Sequence, residues 1–124
     1  MTTQLVYQRI RNRVIEMLEW LIESESTPPQ LGMDELINSW EDWVPIPMPQ
    51  GYFTSPVFTP VEIELLHSVS AAIDAFCEAT PQSIEDEAAA IALPQWAAVI
   101  GAAKPALSAM SARGRMSEEE YLCL

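Results

Sequence analysis

The chain is short of positive charge. Of its 124 residues six are lysine or arginine, against 18 aspartates and glutamates, and the net charge is −12 at pH 7. The bases are also confined to two islands: Arg9, Arg11 and Arg13 near the start, and Lys104, Arg113 and Arg115 near the end. From Val14 to Ala103 there is not one base, while the same span holds 15 acids. A surface of this kind cannot neutralise phosphates, so binding to nucleic acid or to an anionic membrane is not expected. Basic partners should instead be attracted and steered in. The plain alternative is an acidic surface that only keeps the protein soluble.

Other shortages narrow the chemistry. There is one histidine, His67, and although Glu64 and His67 have the Glu-x-x-His spacing, a di-iron bundle needs two such motifs and further carboxylates. A helical wheel sets His67 beside Glu64, Asp74 and Glu78 and opposite Leu65 and Val69, which predicts a solvent-facing side chain. The two cysteines, Cys77 and Cys123, lack metal-ligand spacing and are expected to be free thiols. Cys77 and His67 fall on different faces of one helix and do not make a nucleophile–base pair. Four glycines, at 32, 51, 101 and 114, form no phosphate-binding cluster. The adjacent acids Glu41 and Asp42 could move a proton, but in so acidic a chain an adjacent pair is close to chance. No metal, cofactor or catalytic set is therefore expected, and the chain is read as a non-enzyme. No apolar run approaches the ~20 residues of a membrane span. The opening "MTTQLVYQRIRNR" lacks the basic segment and apolar core of a signal peptide, so a cytoplasmic protein is expected.

What the chain does have is helical periodicity. Val6, Ile10, Val14, Met17 and Leu21 recur at helix spacing and predict a helix over 4–24. Its charges oppose the helix dipole, with arginines early and Glu16, Glu19, Glu23 and Glu25 late, and rules of this kind are often broken where a site needs the charge. A short helix is predicted over 33–43, with Leu36, Ile37 and Trp40 on one side. Thr59-Pro60-Val61-Glu62 combines an N-cap, a first-turn proline and a capping-box glutamate. It opens a predicted helix over 60–79, with Val61, Leu65, Val69, Ala72, Ile73 and Phe76 on one face. A short acidic, alanine-rich helix is expected from Ser83-Ile84-Glu85-Asp86 to about Leu93. The last helix, 94–113, carries Trp96, Val99, Ile100, Ala103, Leu107 and Met110 inward, with a kink expected at Pro105. The fold expected is all-α: one domain over 1–124, an irregular bundle of three long helices plus two or three short ones. Residues 44–59 form a proline-rich connecting strap, and 115–124 a last turn or a frayed tail.

The stretch "NSWEDWVPIPMPQGYF", 38–53, is the densest in aromatics and proline. Trp40 continues the Leu36–Ile37 face and is predicted to be core. Two readings fit the rest. In one, Ile46, Met48, Tyr52 and Phe53 pack across the helices as an apolar strap. In the other, the rigid loop presents aromatics and acids to a partner at a low ordering cost. The segments "NSWEDWVP", "SPVFTP" and "SARGRMSEEE" resemble those of small, acidic, all-helical bacterial proteins of the polymorphic-toxin immunity type. That resemblance implies a binder rather than a catalyst. The function expected is a non-catalytic protein-binding module, an immunity-type inhibitor that occupies the surface of a basic toxin or enzyme. The runner-up is a structural subunit or homodimeric scaffold. The expected partner contacts are Glu41, Asp42 and Trp43, with Glu85, Asp86 and Glu87 as a second acidic knob.

Overall fold

The computed structural model describes residues 3–30, 32–45, 57–81 and 84–120. Among them are five helices and no strand: α1 (Thr3–Glu23), α2 (Met33–Trp43), α3 (Pro60–Glu78), α4 (Glu87–Ile91) and α5 (Pro94–Arg113). Helix α5 packs most extensively on α3 and also on α1, and α2 lies on α1. One apolar cluster joins them, including Leu18, Leu21, Leu36, Trp40, Phe58, Phe76, Trp96 and Met110.

Local chemistry sets the helix ends. Thr59 and Glu62 make the reciprocal capping box: Thr59 Oγ1 accepts from the Glu62 N–H at 3.2 Å, and Glu62 Oε1 accepts from the Thr59 N–H at 2.9 Å. Pro94 opens α5, and Gly114 closes it at φ 80°, a left-handed geometry that a Cβ would oppose. The helix runs through Pro105 as one element. Pro105 and Gly101 lie on its exposed side, where water can take the carbonyl that proline leaves without a donor. The start of α2 has no cap of its own, since Gly32 offers no side chain. Glu87 serves instead, accepting the Met33 N–H at 2.9 Å, while Asp34 accepts the Ile84 N–H at 3.2 Å. Two carboxylates thus tie the start of α2 to the first residue of α4 and to the segment before it.

Both buried tryptophans also satisfy their indole N–H groups. Trp40 donates to Ser70 Oγ at 2.9 Å, joining α2 to α3. Trp96 donates to the Ser24 carbonyl at 3.1 Å and packs against Phe76, ring centres 4.8 Å apart.

Several expected core positions are corrected. Val6 is 45% exposed, and Leu65 and Leu107 are only partly buried against the core. On α3 the inward stripe is Glu62, Leu66, Val69, Ser70, Ile73 and Phe76, one residue out of step at its start with the Val61–Leu65 face; Val61 is 60% exposed. The cause is Glu62, which turns inward to meet a buried arginine. On α1, burial extends beyond the apolar stripe to Gln8, Arg11 and Asn12.

That second, polar strip is covered by residues 114–120, which run back along α1. Asn12 brackets the Met116 main chain, donating to its carbonyl at 2.8 Å and accepting its N–H at 2.9 Å. Gln8 donates to the carbonyls of Ser117 and Glu120 at 2.9 and 2.7 Å. Of the two readings of the tail, a last capped turn or a frayed end, the described part, 115–120, is a bonded segment in which Ser117 Oγ accepts the Glu119 and Glu120 N–H at 3.1 and 2.9 Å; residues 121–124 lie outside the described residues. So does the middle of the strap, with Ile46, Met48, Tyr52 and Phe53. Its described ends are core, Val44 and Val57 being 1% exposed and Phe58 0%.

Candidate functional site: an acidic groove between α2 and α3

The site follows from where the chain's few cations go. Arg11 is wholly buried, and all five of its N–H donors are used. It forms a two-pronged pair with Glu62 at 2.8 and 3.0 Å and donates to the carbonyls of Val57, Met110 and Gly114 at 2.8, 2.9 and 3.0 Å. Arg113 adds a second contact to Glu62 at 3.1 Å. Burial works to raise the Glu62 pKa, but hydrogen bonds from Arg11 and the Thr59 N–H, with the charges of Arg11 and Arg113, hold it below the ordinary carboxylate value.

The remaining bases are also engaged within the chain. Arg115 bonds Glu16 at 3.0 Å and Glu19 at 2.9 Å. Arg13 pairs with Glu118, Arg9 donates to the Glu118 carbonyl at 2.7 Å, and Lys104 pairs with Glu25 at 2.9 Å. A hydrogen bond from Asn12, opposed by some desolvation and joined by the charges of Arg13 and Arg9, lowers the Glu118 pKa.

Five of the 18 acids take these cations, so 13 carboxylates have no basic partner among the described residues. Four of them, Asp34, Glu41, Asp74 and Glu78, line one hollow of about 650 Å³ between α2 and α3. Cys77 opens into the same hollow. Burial first, and then the negative charge of Glu41, Asp74 and Asp34, pushes its thiol pKa up. A neighbouring hollow of about 510 Å³ is more apolar, lined by Ala79, Ala89, Ala90 and Leu93 and flanked by Glu85 and Asp86. The two adjoin, with Thr80, Pro81 and Ile84 lining both, and together make a two-part groove.

The expected contact residues divide. Glu41 lines the acidic hollow, and Glu85 and Asp86 line the apolar one. Asp42 is exposed one residue along. Trp43 is half-buried and packs on the core. Asp86 also caps α4, accepting the Ala89 N–H at 3.0 Å, and Glu87 is occupied by the Met33 N–H. Asp74 and Glu78 also line the acidic hollow and were not among the expected contacts. Their spacing is visible in the sequence as two like charges four apart on α3, a pairing that slightly disfavours a helix.

No group of histidine, cysteine and acidic side chains among the described residues is arranged to hold a metal ion. His67 is exposed, on the side of α3 away from the core. No helix among the described residues is long and apolar enough to cross a membrane. Comparison with models of known protein families, with curated protein sequences and with solved structures gives no match.

Proposed function

We propose that this protein is a non-catalytic binding module for a basic protein, acting as an immunity-type inhibitor that covers the cationic surface of a toxin or enzyme. The observation that carries the reading is the separation of charge. Every base is spent on the chain's own acids and carbonyls, while uncompensated carboxylates line the α2–α3 groove. Such a field raises the local concentration of a cationic partner and speeds its docking, and mismatched acidic partners are repelled. The helical bundle serves as a rigid frame, and inhibition is by occupancy.

Affinity capture from the source cell at low salt, followed by a high-salt wash, tests it. The expected result is a basic protein that elutes with salt and loses its activity on equimolar addition of this chain. An acidic partner, a salt-insensitive complex or turnover of a substrate by this chain overturns the reading. Light scattering supplies the rival outcome: a mass twice 13.8 kDa at low concentration favours the homodimeric scaffold.

A further inference from the structure

The groove has two halves of different character, and together they specify more than a basic partner. The apolar half is lined by Ala79, Ala89, Leu93 and the buried Ala90, with Ile84 shared with the acidic half. Small side chains leave room there, and the hollow of about 510 Å³ is within the size range of ligand-binding clefts. Carboxylates stand in both halves: Glu85 and Asp86 line the apolar hollow, and Asp74 and Glu78 line the acidic hollow that adjoins it at Thr80, Pro81 and Ile84. Apolar contact is thus available along one line, and unpaired negative charge beside it.

We infer that this groove takes a cationic amphipathic helix of another protein, its apolar stripe in the Ala79–Ala89–Leu93 hollow and its lysines or arginines on the flanking carboxylates. Charge complementarity selects that occupant. An acidic or neutral apolar helix would leave the carboxylates desolvated and unpaired, and a cationic segment with no apolar face would leave the hollow empty. A second copy of this chain is disfavoured on the same ground, since its own bases are already engaged. Recognition of this kind uses anchors at helical spacing in an apolar groove.

The inference rests on the basic-partner reading, and its test separates the two. A synthetic leucine–lysine helical peptide is titrated into isotopically labelled protein at low salt. A scrambled peptide of the same composition and charge, without an apolar face, is the control. The expected result is amide shifts clustered at Ala79, Ile84, Ala89 and Leu93, with the scrambled peptide binding about tenfold more weakly. Ala89→Arg, at an exposed position, should weaken the amphipathic peptide by about tenfold or more with no change in urea midpoint. Ala79→Arg serves if that variant is unstable. If both peptides bind alike, or the shifts map elsewhere on the acidic surface, the groove assignment fails and the basic-partner reading stands. If neither peptide binds at low salt, both fail.

Discussion

Arg11 and Glu62 form the ion pair on which most of the architecture converges. Between them they touch α1, the start of α3, the end of α5 and the end of the strap, through Val57. Removing one partner strands the other in a buried site, which costs roughly 3–5 kcal/mol. Arg11→Ala should therefore lower the urea stability by about that amount, and Arg11→Lys should recover little of it, because an ammonium cannot make the two-pronged contact. The pair also sets a pH dependence. The folded pKa of Glu62 is depressed, so its contribution is fully present above the ordinary carboxylate value and is lost as pH falls through the folded pKa. In Glu62→Gln the acid limb of a urea-midpoint-against-pH curve should be shallower than in the wild type. A second residue reports on the groove. Cys77 is exposed at its surface, yet partial desolvation of its thiol and the neighbouring acids Glu41, Asp74 and Asp34 push its pKa up. In a Cys123→Ser background, alkylation by neutral iodoacetamide near neutral pH should be slower than for a free cysteine peptide, and Glu41→Gln should speed it. An unchanged rate in that variant would mean the carboxylates do not act on the thiol as the groove geometry requires.

At the scale of elements, the pairing of α1 with residues 114–120 explains a pattern that looked wrong in isolation. Arginines early and glutamates late oppose the dipole of a lone helix. The returning segment has the opposite order. Arg115 meets Glu16 and Glu19, and Glu118 meets Arg9 and Arg13. The charge order of α1 is therefore a tertiary signal. Periodicity made most helices legible, because capping, proline and apolar spacing are local, as at Thr59-Pro60-Val61-Glu62. It did not reveal the inward turn of Glu62 or the burial of Gln8, Arg11 and Asn12. A polar residue on an inward face looks solvated until its partner, about 50 to 110 residues away in the chain, is in place. The candidate site was legible in part for the same reason. Glu41, Glu85 and Asp86 stood out as local acid runs, while Asp34, Asp74 and Glu78 join them only when α2 and α3 meet. Asn12 gives the test. Asn12→Ala removes both side-chain bonds to Met116 and should cost about 1–3 kcal/mol. The Met116 amide should be protected from hydrogen exchange in the wild type by its bond to Asn12 Oδ1 and should exchange at the rate of an open chain end in the variant.

For the whole molecule, folding and binding should respond to salt with opposite signs. The folded chain gathers 13 carboxylates without cationic partners among the described residues, several of them within a single groove. Their mutual repulsion opposes the compact state. It is screened as the Debye length shrinks from about 30 Å at 0.01 M salt to about 8 Å at 0.15 M. The internal pair at Arg11 and Glu62 is buried and escapes most of that screening. Raising salt over this range should therefore increase the melting temperature, because the repulsive term weakens while the buried attractive pair does not. The same screening removes the field that draws in a cation, so the association rate with a basic partner should fall steeply. Dissociation, governed more by contacts already made in the groove, should change less. Thermal melts and stopped-flow association across one salt series measure both. A melting temperature that falls with salt would mean that exposed ion pairs such as Lys104–Glu25 and Arg115–Glu19, rather than carboxylate repulsion, dominate the surface. An association rate indifferent to salt would remove the electrostatic basis for a cationic partner altogether.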